Sequence, residues 1–236
     1  MLPEDYLCVH IDNASLKTTS YGDIFSSLTY YEVKFEKIIS WHGDLLGYEI
    51  LLDFDFARRK GLLENYKKGI LDMSVIQYTL SRLANSSVVF NPQRLFVNME
   101  RSHLCNPHLL HKVVLVSRQL FLNNVELVLE ITESNPCLNC PRISKGLLFL
   151  KREGVSLAVD DYNIYDGDFR APEVLAGIYD YIKIEMPINE REQRCFNLFS
   201  LQLEPLCRKI ILERVECIED VKTLVRPFGL QGYFNS

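Results

Sequence analysis

Eight polar residues, most of them acidic, stand inside or at the ends of apolar strand-like runs, and they constrain the fold more than any other feature of the chain. Glu49 lies in GYEILL, Asn98 in RLFVNM, Glu130 in ELVLEIT, and Asp160 with Asp161 in VSLAVDD; Lys183 lies in YIKIE, Glu213 in KIILERVE and Gln231 in LQGY. Most of the intervals between them accommodate one strand, one helix and two short loops. A carboxylate in an apolar strand costs several kcal/mol unless it is paired or binds a cation. One such residue is unremarkable, whereas a recurrent set implies a shared site. In a parallel barrel the C-terminal ends of the strands converge on one face, which is where such a site is built.

The chain has 236 residues, enough for one sizeable core and close to the ~250 typical of a βα barrel. A hydrophobic share of 47% with 11% aromatics describes an ordered globular protein. The net charge of −5 gives no support to broad electrostatic binding of nucleic acid. No apolar run reaches the ~18 residues of a membrane span, and the acidic start MLPEDYLCVHIDN does not resemble a signal peptide. A cytoplasmic protein without direct nucleic-acid or membrane contact is expected. Seven cysteines, an odd number, fit reduced thiols. The pair Cys137 and Cys140 lacks further ligands at zinc-site spacing, so it reads as a loop capping the next helix rather than as a metal or redox centre.

Residues 1–29 read as an N-terminal arm and 30–236 as one barrel domain. Strands are expected over Tyr30–Ile39 and Leu45–Leu52, joined by a short connection that makes the first antiparallel to its neighbour. Further strands follow over Leu95–Met99, Glu126–Thr132, Ser156–Asp160, Tyr181–Glu185, Lys209–Arg214 and Gln231–Phe234. Helical periodicity covers about Leu63–Asn85, Pro107–Phe121, Arg142–Arg152, Pro172–Ile178, Glu190–Leu203 and Ile218–Val225. Alternating strands and helices demand a parallel sheet, and about eight strands suggest its closure. An open dinucleotide-binding sheet lacks its Gly-x-Gly-x-x-Gly turn. Within the helix before Pro205, Phe196, Leu198, Phe199, Leu201 and Leu203 read as barrel packing.

Glu49, Asn98, Glu130, Asp160, Asp161 and Glu213 offer oxygen ligands only, a set that suits Mg²⁺ or Mn²⁺. Paired cations at such a cluster would activate water and stabilise both oxygens of a phosphoryl displacement. Lys183 among them would orient that water or neutralise developing charge.

From Tyr31 to Ser236 the sequence resembles the EAL-domain family, bacterial phosphodiesterases that cleave cyclic di-GMP to the linear dinucleotide pGpG. The resemblance rests on Glu49-Ile50-Leu51, Phe96-Val97-Asn98, Leu129-Glu130-Ile131-Thr132-Glu133-Ser134, Asp160-Asp161, Tyr181-Ile182-Lys183-Ile184 and Gln231-Gly232-Tyr233. It implies a modified (β/α)8 barrel of TIM type, α/β in class, with an antiparallel first strand. It makes Glu49, Asn98, Glu130, Asp160 and Glu213 the primary metal ligands, Asp161 the carboxylate for a second metal and water, and Lys183 the catalytic lysine. Gln231 resembles the family's site glutamine, Glu133 the acid that braces the loop after the Asp-Asp pair, and Glu216 the second acid of Glu-Gly-Val-Glu.

The departures bear on activity. The family's phosphate-binding Arg is Asp53 here, Phe-Gly-x-Gly is Tyr162-Asn163-Ile164-Tyr165, and Glu-Gly-Val-Glu is Glu213-Arg214-Val215-Glu216. The helix expected after the last strand is missing, which leaves apolar barrel surface for the arm or another protein. Ile and Tyr reach positive φ poorly, so the altered loop puts the second cation in question. These features imply a degenerate EAL domain with little or no hydrolysis and weak or absent cyclic di-GMP binding. The resemblance implies that it acts instead by binding a protein, as some short family members do with transcription regulators of bacterial motility. An active Mg²⁺- or Mn²⁺-dependent phosphodiesterase is the alternative.

Overall fold

A computed structural model describes residues 33–52, 58–59, 61, 94–133, 140–206 and 208–232. The arm, Asp53, Cys137 and the expected helix over Leu63–Asn85 lie outside the described residues. The element order is β1 (Val33–Ile39), β2 (Leu45–Leu52), β3 (Arg94–Glu100), a 3-10 turn (Arg101–Cys105), α1 (Pro107–Phe121), β4 (Glu126–Thr132), α2 (Pro141–Arg152) and β5 (Ser156–Val159). It continues through α3 (Ala171–Leu175), β6 (Tyr181–Glu185), α4 (Glu190–Leu203), a 3-10 turn (Glu204–Leu206), β7 (Lys209–Glu213), α5 (Ile218–Val221) and β8 (Gly229–Leu230).

The eight strands close in chain order into a barrel. β1 runs antiparallel to β2 and to β8, and every other neighbouring pair is parallel. Strands covered on both faces should be apolar along their length, and β4 is buried from Leu127 to Ile131. Two helix starts, those of α1 and α4, follow ordinary capping chemistry. The Asn106 side chain accepts from Leu109 N at 3.2 Å with Pro107 at the first helical position, and the Asn189 side chain accepts from Glu192 N at 3.0 Å.

Strand alternation sorts the barrel interior into layers. A middle layer of Ile38, Phe96, Val128, Ala158, Tyr181 and Ile211 packs separately from the larger core between sheet and helices. Below it, Arg94 Nε donates to the Tyr181 hydroxyl at 2.8 Å and lies 3.1 Å from Glu126 Oε2; Lys209 Nζ donates to the same hydroxyl at 3.0 Å. This polar network closes the N-terminal end. Two residues above five of the six middle-layer side chains comes a polar one: Asn98 above Phe96, Glu130 above Val128, Asp160 above Ala158, Lys183 above Tyr181, and Glu213 above Ile211.

Two expectations need correction. β8 ends at Leu230, so Gln231 lies just past the strand rather than inside one beginning there. In α4, Phe196 and Leu203 are buried and Phe199 is partly so, but Leu198 is 64% and Leu201 54% exposed. Barrel packing therefore accounts for only part of that apolar run.

Candidate functional site

At the C-terminal end of the barrel the strands bring together most of the residues singled out in the sequence. Lys183 is 1% exposed, and its Nζ lies 2.9 Å from Glu49 Oε2, 2.9 Å from Glu130 Oε1, 3.2 Å from Asp160 Oδ1 and 2.8 Å from Glu213 Oε1. Asn98 Nδ2 donates to Glu49 Oε1 at 2.6 Å, and Gln231 Nε2 donates to Glu49 Oε2, also at 2.6 Å. The same amide donates to Glu36 Oε2 at 3.2 Å. Glu36 is a member that the motifs do not reveal; its signal is the register, which sets it opposite Glu49 across the β1–β2 hairpin. Asp161 and Glu133 stand at the rim, where their carboxylates and that of Asp160 lie within 4.8 Å of one another. Glu216 is exposed, and among the described residues no hydrogen bond or ion pair joins it to the cluster.

One buried ammonium facing four carboxylates, two of them buried and two partly so, leaves negative charge uncompensated. Burial pushes the Glu130 carboxyl well up, and the Glu49 charge adds to the effect. Burial likewise raises Asp160, and it raises Asp161 with help from Glu133. Glu213 rises to about 7 through burial, Lys183 opposing the shift and Asp160 and Glu49 reinforcing it. Glu49 behaves oppositely: burial favours its neutral form, but Lys183 and the Gln231 amide outweigh burial and hold it at about 2. Burial works against the Lys183 charge, yet the surrounding carboxylates keep its pKa well above the usual lysine value.

Five buried oxygens belong to this cluster and have no hydrogen-bond donor among the described residues: Asn98 Oδ1, both oxygens of Glu130, Glu213 Oε2 and Gln231 Oε1. Glu130 Oε1 contacts the Lys183 ammonium, but not with hydrogen-bond geometry. Every unpartnered atom here is an acceptor, and none is a donor. That asymmetry fits a hard divalent cation held by Glu49, Asn98, Glu130, Asp160 and Glu213, with Asp161 beside it. Such a cation would supply positive charge that Lys183 now supplies alone.

The raised Glu213 pKa has a measurable consequence. The folded state retains this proton between the ordinary 4.5 and about 7, whereas the unfolded chain releases it. Stability of the metal-free protein therefore falls as pH rises through that window, by at most ~3 kcal/mol from this group. Glu130 and Asp160 act in the same direction, while the stabilising contribution of Glu49 is lost only below 4.5. Thermal melts in chelator should give a higher midpoint at pH 5 than at pH 7.5; the reverse order would contradict this charge balance.

The loop after Asp161 is ordered without the family's glycines. Its positive φ values fall on Asp161 (44°) and Gly167 (92°), so Ile164 and Tyr165 are spared that strain. The Asn163 side chain accepts from Tyr165 N at 2.9 Å and Asp166 N at 3.0 Å, which shapes the turn. Arg170 is fully buried: it donates to Asp168 through Nε and Nη2, to the Ile131 carbonyl at 3.2 Å and to the Asp161 carbonyl at 3.2 Å. Where the motif it resembles has glycine, Arg214 adopts φ 55° and pairs with Glu185 at 2.8 Å. A non-glycine residue thus adopts a left-handed conformation there and places a cation at the mouth.

No protein-family model and no curated protein matches the chain. Solved structures do match. Klebsiella pneumoniae BlrP1, in its calcium and cyclic di-GMP complex, aligns with TM-score 0.66 and 17% identity over 86% of this chain and 54% of that one. The Xanthomonas citri FimX EAL domain with cyclic di-GMP aligns with TM-score 0.63 and 13% identity over 90% of each chain. Vibrio cholerae LapD, a GGDEF–EAL structure bound to cyclic di-GMP, gives TM-score 0.62 and 16% identity over 95% of this chain and 57% of that one. The chain thus spans little more than half the length of the BlrP1 and LapD structures. Closure of eight strands with an antiparallel first member, and these alignments, agree: the chain has the EAL-domain barrel fold.

Proposed function

We propose that this chain is a degenerate EAL-type protein that acts by binding another protein and has little or no cyclic di-GMP hydrolysis. A transcription regulator of bacterial motility is the partner class favoured by the resemblance. The observation that carries the reading is the four-way pairing of Lys183. A full ligand set would ordinarily argue for catalysis. Here each of those carboxyl groups also contacts a buried ammonium that needs acidic partners, which gives the set a structural reason to be present without turnover. Asp53 in place of a phosphate-binding Arg, and Arg214 in place of a glycine at the mouth, alter what a dinucleotide would meet.

The unpartnered acceptor oxygens favour the second reading, an active phosphodiesterase that binds Mg²⁺ or Mn²⁺ and yields linear pGpG. In it, Glu49, Asn98, Glu130, Asp160, Asp161 and Glu213 would hold the metal, which supplies charge neutralisation and an acidified water. Lys183 would then hold or release a proton at its Nζ. Assay of cyclic di-GMP hydrolysis with either metal, using Glu49→Ala as the blank, decides between the two. We expect wild type and blank to be indistinguishable and titration calorimetry to show weak or no dinucleotide binding. Turnover that Glu49→Ala abolishes would establish the enzyme instead.

A further inference from the structure

We propose that Gln231 is a ligand of the divalent cation through its side-chain Oε1, and that Glu36 is the positioning residue that holds the amide this way round. The inference rests on the reading that the cluster takes such a cation. Gln231 is 5% exposed. Its Nε2 donates to two carboxylates at once, Glu49 Oε2 at 2.6 Å and Glu36 Oε2 at 3.2 Å. An amide nitrogen carries two N–H groups, so both are engaged and Oε1 is the atom left over. That oxygen is buried and has no donor among the described residues.

Both carboxylates are needed to fix the orientation. Turned over, the amide would set its oxygen 2.6 and 3.2 Å from two carboxylate oxygens, acceptor against acceptor. Glu49 alone would hold one N–H and let the amide swing about that bond. Glu36, set opposite Glu49 by the β1–β2 register, holds the second N–H and with it the amide plane. The backbone is clamped as well: Gln231 N donates to the Leu212 carbonyl at 2.8 Å, and the Gln231 carbonyl accepts from Val215 N at 3.1 Å. Gly232 then passes so close to Val215 that a Cβ there would come within 2.1 Å of its carbonyl oxygen.

Asn98 repeats the arrangement at the other oxygen of Glu49. Its Nδ2 donates to Glu49 Oε1, and its Oδ1 is likewise buried and unpartnered. Glu49 is thus bracketed by two amides, one on each oxygen, and each amide keeps a free carbonyl oxygen. Hard divalent cations take amide carbonyls alongside carboxylates. In a cluster with negative charge to spare, a neutral ligand adds coordination without adding repulsion. The residue after β8 thereby offers the cation what β3 offers through Asn98.

The test titrates Mn²⁺ into the whole protein and follows bound metal by electron paramagnetic resonance, in wild type, Gln231→Met, Glu36→Ala and Glu36→Gln. Gln231→Met and Glu36→Ala should each weaken Mn²⁺ binding by roughly tenfold or more. Glu36→Gln should recover most of the loss, because its carboxamide oxygen accepts the same hydrogen bond. Equal losses in Glu36→Gln and Glu36→Ala would mean that Glu36 acts through its charge, and would overturn the positioning role. Infrared difference spectra of protein isotopically labelled at the glutamine side-chain carbonyl give a direct readout: Mg²⁺ should shift one glutamine band in wild type and none in Gln231→Met. Binding by Gln231→Met as tight as wild type, or unmoved glutamine bands in metal-loaded wild type, overturns the inference and leaves the cation site standing. Wild type that binds no Mn²⁺ overturns both. Glu36 is exposed, so its two variants keep the test decisive even where Gln231→Met fails to fold.

Discussion

Replacing Lys183 with methionine lowers the unfolding free energy of the metal-free protein by ~3–5 kcal/mol, the cost of removing one member of a buried charge cluster. For a chain of this size that is a fall of roughly 10 °C in melting temperature. The substitution keeps a linear apolar stem and removes the ammonium. Glu49, Glu130, Asp160 and Glu213 then face one another with no cation among the atoms now described. They relieve the repulsion by taking up protons, so the deficit grows as pH rises. Millimolar Mg²⁺ or Mn²⁺ should recover much of it, because a cation that binds only the folded state stabilises that state. Urea unfolding with and without metal measures both effects. A variant as stable as wild type in chelator at neutral pH would remove Lys183 from the centre of the site.

Arg170→Met should be comparably damaging, at ~3–5 kcal/mol, for a different reason. Asp168 is held below the usual carboxylate range because Arg170 hydrogen bonds outweigh its burial. Without the guanidinium that carboxylate is left buried without its ion-pair partner, the carbonyl of Asp161 loses the Arg170 donor, and that of Ile131 keeps only the Asp160 N–H. Arg170→Lys should recover only part of the loss, since an ammonium cannot reproduce a planar fork that meets a carboxylate and two carbonyls at once. Limited proteolysis supplies a local readout: cleavage between Asp161 and Asp168 should accelerate in the methionine variant. An unchanged urea midpoint together with unchanged cleavage would contradict the assigned role.

The sequence makes the barrel legible because strand and helix periodicities alternate without interruption from Arg94 onward. β4 and β6 have the expected limits, and β3, β5 and β7 differ from expectation by a residue at either end or at the C-terminus. Weakly periodic elements fare worse. α3 spans Ala171–Leu175 and gives way to Gly177 at φ 76°, short of the expected Ile178. The two residues of β8 are defined by pairing with Ile39, Ile211 and Leu212, partners far away in the chain. The same limit applies to the site. Polar residues in apolar strands identify Glu49, Asn98, Glu130, Asp160, Lys183 and Glu213 as companions. They do not reveal that the lysine touches four of the acids at once. Nor does spacing expose Arg170 bracing the rim through two backbone carbonyls. Each of these depends on tertiary proximity, which has no period.

The layered interior gives the site a foundation that can be adjusted from below. Because a strand repeats every two residues, each ligand stands on the side chain beneath it, and the height of that lower course sets where the ligand sits. Ala158 is the smallest of the middle-layer residues and carries Asp160, while Tyr181 is among the largest and carries Lys183. Acid and lysine thus rest on steps of unequal height. Ligand spacing in this barrel is therefore inherited from apolar volumes that never touch a solute. Evolution or design can shift one carboxylate relative to its neighbours by exchanging a methyl for an isopropyl group one storey down, leaving every charged residue in place.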